Sequence, residues 1–175
     1  MFDKNVLLVI DLQRQFKDKQ NNYQKCLEYL KKNCLGYDEI VFTLFSQYIS
    51  NKDGSIDYSD KYVRHLNWKE CEQCNESDIL MPDVFLKNNI FRTPVRIIPK
   101  NTYAAKLPKE YNSITTHFDI IGCNTDGCIL ATAFKLWDEN YSFHILKDYV
   151  FTTNTQIDTK QLMLLMKHQF GDCVK

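Results

Sequence analysis

Seven residues, Gly122-Cys123-Asn124-Thr125-Asp126-Gly127-Cys128, join two apolar patterns. Before them, Phe118, Ile120 and Ile121 read as a buried strand. After them, Ile129, Leu130, Ala133, Phe134 and Trp137 recur at helical spacing and define one apolar face. The turn is short, so Cys128 falls in the first turn of a helix over 126–139. Unpaired N–H groups and the positive end of the helix dipole lie there. Thr125 is the expected N-cap. A thiol in that place is expected to have a lowered pKa and more thiolate, the nucleophilic form. A small cysteine packing a strand–helix junction gives the same pattern without chemistry.

Two charged residues stand at the ends of other strands. Val6-Leu7-Leu8-Val9-Ile10 is a continuous apolar run, the mark of a strand covered on both faces, and it ends at Asp11. Arg96-Ile97-Ile98-Pro99 is brief, placed near a sheet edge by its proline, and ends at Lys100. Helices are expected over 21–33, 80–88 and 159–170, and further strands over 40–45, 118–122 and 141–146. This alternation implies βαβ units with right-handed crossovers. The expected architecture is a three-layer Rossmann-like α/β fold: a parallel sheet of five to six strands with helices on both faces.

In such a sheet the carboxyl ends of the strands share one edge, where ligands bind. Asp11, Lys100 and Cys128 then converge. Asp11 can take the thiol proton, Lys100 can hold the thiolate and orient the acid, and Cys128 can attack a carbonyl carbon. The backbone N–H groups of Asn124 and Cys128 can receive an oxyanion. Taken singly, Asp11 is equally a cap or loop acid, and Lys100 equally a solvated surface lysine.

Composition narrows the partners. The 175 residues suffice for one domain, 1–175. Lys+Arg and Asp+Glu are both 22, which argues against a nucleic-acid or anionic-membrane surface. No run has the length of a membrane span, and Met1-Phe2-Asp3-Lys4 leads straight into a strand, so no signal peptide is expected. The 7 cysteines are odd in number and scattered, as reduced thiols in the cytoplasm would be. No Gly-x-Gly-x-x-Gly or Gly-Lys-Ser/Thr loop is present, so no nucleotide cofactor is indicated. Residues 46–77 are polar, aperiodic and long enough to be a cover over the active site rather than a connector. Cys71 and Cys74 within them have Cys-x-x-Cys spacing, but one pair alone is weak for zinc and reads better as surface thiols.

Three motifs, taken in order, resemble those of the isochorismatase-like cysteine hydrolases, the superfamily of nicotinamidases and N-carbamoyl amide hydrolases. They are Leu7-Leu8-Val9-Ile10-Asp11-Leu12-Gln13 with Phe16, Lys100-Asn101-Thr102-Tyr103-Ala104-Ala105, and Gly122 to Cys128. With the order of elements they span nearly the whole chain, and the last motif is the most specific. The resemblance implies an Asp11–Lys100–Cys128 triad, a cis peptide bond at Cys123–Asn124, a pocket including Phe16, Tyr103 and Asn124, and a homo-oligomer. Nicotinamidases carry an Asp-x-His metal motif soon after the second strand. Here that region reads Thr43-Leu44-Phe45-Ser46-Gln47-Tyr48-Ile49, which resembles the metal-free branch. The expectation is a hydrolase of a small molecule's amide-type carbon–nitrogen bond, without metal or cofactor. The alternatives are an isochorismatase-type enol-ether hydrolase and a non-catalytic binding or assembly module that keeps the pocket.

Overall fold

The computed structural model describes residues 2–68, 73–80 and 93–175. Five parallel strands form the sheet: β1 (Lys4–Ile10), β2 (Glu39–Phe45), β5 (Val95–Lys100), β6 (Thr116–Cys123) and β7 (Ser142–Phe151). Their order is β5-β2-β1-β6-β7, with β1 in the middle. The proline-bearing strand lies at the edge, as expected. A small antiparallel ribbon, β3 (Tyr48–Ser50) with β4 (Ile56–Tyr58), follows β2.

The apolar run of β1 feeds two cores. Val6, Leu8 and Ile10 face one side, where they meet helices α3 (Leu130–Asp138) and α4 (Thr159–Phe170) through Ala133, Leu136, Met166 and Phe170. Leu7 and Val9 face the other side, with α1 (Asn22–Asn33) supplying Cys26 and Leu30. A period-two strand buried on both faces requires helices on both, so the three layers follow from this alternation. Among the described residues no helix is long and apolar enough to cross a membrane.

Several boundaries differ from the sequence reading. β7 runs to Phe151 because its register shifts past Ile120: Ile145 pairs with Ile120, yet Val150 pairs with Gly122. The extra residues form a bulge, which carries no hydrophobic signature. The segment 46–77 is not wholly aperiodic; it holds the ribbon and a short helix, α2 (Lys61–Leu66). The expected helix over 80–88 falls, beyond Leu80, outside the described residues, as does Cys71.

Gly122 fixes the seam between β1 and β6. Its φ is +115°, and a Cβ there would lie 2.1 Å from the carbonyl oxygen of Ile10. Backbone strain and backbone–backbone overlap would add. Gly122→Ala is therefore expected to destabilise the fold by more than about 3 kcal/mol, read as a lowered urea midpoint. An unchanged midpoint would show that the seam tolerates a side chain.

Candidate active site

Asp11 directly follows β1, and its φ of +46° turns the chain sharply and leaves the carboxylate at the sheet's carboxyl edge. Non-glycine residues avoid this region, and such outliers cluster where geometry is functional. Thr43 on β2 holds the acid. Its hydroxyl accepts from the Asp11 N–H at 3.0 Å and donates to Oδ1 at 2.5 Å. Gln13 extends the β1–β2 pairing beyond the strand by exchanging two hydrogen bonds with the Phe45 backbone, at 2.6 and 3.0 Å. The turn carrying Asp11 is thus tied to β2 on both sides.

Lys100 ends the edge strand but is no surface lysine: it is 0% exposed. Its Nζ lies 2.7 Å from Asp11 Oδ2 and 3.3 Å from Cys128 Sγ. The carbonyls of Thr102 and Tyr103 also accept from it, at 3.0 and 3.1 Å, and the Phe45 ring lies beneath it, 5.0 Å from the ammonium to the centroid. A buried ammonium is sustained only by such a full set of acceptors.

Cys128 sits in a single wide turn, Thr125–Ile129, in which the Ile129 N–H donates to the Asn124 carbonyl five residues back. Wide turns of this kind recur at functional sites. This turn also moves the cap: Asn124, not Thr125, precedes the helix, and Thr125 Oγ1 is buried without a partner among the described residues. The Cys123–Asn124 peptide bond is cis. Asn124 Oδ1 accepts from the backbone N–H and the hydroxyl of Thr153, at 2.8 and 2.9 Å.

The expected lowering of the Cys128 pKa is overturned. Burial pushes the thiol up, the Asp11 carboxylate pushes it further, and Lys100 only partly opposes them. Burial and the adjacent acid together outweigh the helix dipole. At neutral pH the sulfur is therefore a thiol. For Lys100, burial favours loss of the proton, but the Asp11 carboxylate and the Cys128 sulfur together outweigh it and the pKa is raised.

The sulfur lies at the wall of a cavity of about 370 Å³, lined by Leu66, Trp68, Tyr103, Asn124, Gly127 and Thr153, with Asp126 and Asn154. That volume suits a small molecule. A larger depression of about 740 Å³ between β7 and α4 is lined by no thiol, carboxylate or imidazole, so it lacks the groups for this chemistry. Tyr103 and Asn124 line the smaller cavity as anticipated, whereas Phe16 stands behind it, packed edge-on against Trp68 at 6.2 Å. Trp68 stacks on Tyr62 at 5.9 Å, and Tyr62 meets Phe45 at 4.8 Å. Residues from the 46–77 segment therefore form part of the pocket wall.

No family model and no curated protein matches this sequence. Solved structures do. The pyrazinamidase/nicotinamidase of Streptococcus mutans superimposes with a TM-score of 0.71 at 16% identity, covering 98% of this chain and 99% of that one. The Bacillus subtilis nicotinamidase gives 0.68 at 16%, with 98% of each chain covered. An isochorismatase-like hydrolase from Alkaliphilus metalliredigens gives 0.64 at 15%, covering 95% and 92%. The chain shares the fold of these proteins.

At the end of β2, where the sequence has no Asp-x-His pair, the side chains are engaged in packing and hydrogen bonds. Phe45 is buried in the core, and Gln47 donates its amide to the Trp68 carbonyl at 2.8 Å. Among the described residues Gln47 Oε1 is buried without a partner, and no trio of imidazole, thiol or carboxylate ligands gathers there. Sequence reasoning missed Trp68, Thr153 and Asn154 as pocket residues. The first lies in a polar stretch, and the other two follow the unreadable bulge of β7.

Proposed function

We propose that this protein is a cysteine hydrolase that cleaves the amide-type carbon–nitrogen bond of a small molecule through an acyl-enzyme on Cys128. The observation that carries the reading is Lys100 Nζ, which touches Asp11 and Cys128 together beside an open cavity. The likeness of the fold to nicotinamidases and an isochorismatase-like hydrolase supports it.

The raised thiol pKa decides the order of events. A resting thiol must lose its proton as it attacks, so Asp11 acts as general base in that step. Lys100 stabilises the sulfur's developing charge. The carbonyl oxygen becomes an oxyanion facing the N–H groups of Asn124 and Cys128. Asp11, now protonated, gives its proton to the leaving nitrogen as the carbon–nitrogen bond breaks, leaving a thioester. Asp11 then takes a proton from water, whose oxygen attacks the thioester; the released sulfur regains that proton, and the acid leaves.

The cavity also suggests the substrate. Trp68 and Tyr103 meet at 78° and form an aromatic corner, suited to a flat acyl group. With its oxygen engaged by Thr153, Asn124 has only N–H donors left for a ligand. Asp126, its carboxylate bonded to the Thr152 hydroxyl, disfavours an anionic group nearby. A small, uncharged, flat amide fits best.

The test is intact-mass analysis of protein quenched in acid during turnover of a panel of such amides. The expected result is an acyl adduct that maps to Cys128 and is absent from Cys128→Ala. Amide turnover that survives in Cys128→Ala without an adduct would overturn the acyl-enzyme, and an enol ether cleaved equally by both proteins would point instead to enol-ether hydrolysis, which needs no covalent cysteine.

A further inference from the structure

At the other end of the sheet, His117 and Asp119 lie two residues apart on β6 and so share a face, and Asp119 pairs with His144 on β7. Three of their atoms converge. His117 Nε2 lies 3.1 Å from His144 Nδ1 and 3.2 Å from Asp119 Oδ1, and His144 Nδ1 lies 3.3 Å from the same oxygen. We infer that His117, Asp119 and His144 form a binding site for a divalent transition cation of the zinc type. The site is remote in the fold from Cys128, and the inference is independent of the hydrolase reading.

The spacing of the three atoms matches a zinc coordination shell. Zinc binds imidazole nitrogen and carboxylate oxygen at about 2.0–2.2 Å, which sets ligand atoms about 2.9–3.4 Å apart for angles between octahedral and tetrahedral. All three separations fall in that interval.

Proton placement favours a cation as well. His117 Nδ1 lies 2.8 Å from the Ser142 hydroxyl. A proton on Nδ1, donated to Ser142, leaves Nε2 with its lone pair turned inward. Three acceptor atoms then face one another. Placing one proton among them still leaves a lone-pair contact, and placing one on each nitrogen sets two N–H groups head to head across 3.1 Å. A cation at the centre satisfies all three at once.

The outer contacts are also of the kind that orient metal ligands elsewhere. Asp119 Oδ2, the oxygen not aimed inward, accepts from Tyr37 at 2.7 Å, and Tyr37 is bonded to Tyr29 at 2.6 Å. Phe2 stacks on the His117 ring at 5.1 Å. His117 is nearly buried, whereas the His144 side chain is 37% exposed, so an ion has a path in and a fourth position open to water. Two imidazoles and a carboxylate with an open position suit zinc or its first-row neighbours better than calcium or magnesium.

The experiment is zinc titration by calorimetry on metal-stripped protein, with cobalt absorption as a second readout. One equivalent is expected to bind and to raise Tm, and the cobalt form is expected to lack the sulfur-to-metal absorption of a cysteine site. His144→Ala and Asp119→Asn should each abolish that equivalent, and Tyr37→Phe should weaken it about 10–100-fold. Circular dichroism on each variant confirms folding; His144, being part-exposed, is the variant least able to disturb it. Absence of binding by the native chain, binding with cobalt–sulfur absorption, or binding unchanged in His144→Ala would each overturn the assignment.

Discussion

Asp11→Asn should abolish turnover and at the same time make Cys128 more reactive toward a small alkylating agent. The two effects have opposite signs because Asp11 has two roles. As the base it accepts the thiol proton, and an amide cannot; a positioned general base contributes about 10²–10⁴ in rate. As a fixed negative charge, Asp11 raises the thiol pKa, while Lys100 lowers it. Removing only the carboxylate leaves the sulfur beside Lys100 alone, 3.3 Å away. Each unit of fall in pKa gives about tenfold more thiolate at neutral pH. Iodoacetamide labelling followed over pH, with the adduct mapped to Cys128, checks this. Labelling that slows along with turnover would mean that Asp11 activates the resting sulfur instead of restraining it.

That result also bears on what the sequence could reveal. Asp11, Lys100 and Cys128 were legible because each follows an apolar run, and a parallel sheet brings such ends together. The structure places Lys100 Nζ within 2.7 Å of Asp11 and 3.3 Å of Cys128, although 89 and 28 positions separate them in sequence. The sign of the thiol shift was not legible. A helix start can be read from spacing, but the 2% exposure of Cys128 and the acid facing it are products of tertiary packing.

The pocket wall was legible in part. Tyr103 follows Lys100 closely and Asn124 precedes Cys128 closely, so both were carried to the site by residues already located. Trp68 arrives through packing of Tyr62 and Phe45, which no local pattern encodes. Thr153 arrives because β7 slips its register, and its two bonds to Asn124 join the strand end to the turn before Cys128. The fold needed less: alternating faces of β1 required both helical layers, whatever the loops did. The Thr125 cap failed for a local reason, since an i to i+5 turn displaces the cap by one residue.

Lys100→Met should be costly twice, and a double variant separates the two costs. Without the ammonium, Asp11 is a fully buried charge with no ionic partner, and breaking a buried pair on one side costs about 3–5 kcal/mol. Activity should fall by at least about 10²–10³, the scale seen when one preorganised electrostatic donor is removed. In Lys100→Met/Asp11→Asn the orphaned charge is gone too, so urea denaturation should show part of the stability restored while turnover stays lost. Additive losses of stability would mean that the two residues are not coupled in the folded protein. The pH dependence has a definite sign as well. Because folding raises the Lys100 pKa above its ordinary 10.5, the contribution of its charge is fully present below that value. It is lost as the pH rises through the higher folded-state value. The gap in stability between native chain and Lys100→Met should therefore hold from neutral pH to about 10 and narrow above it. Such narrowing would place the cost on the ammonium's charge rather than on the packing of its stem.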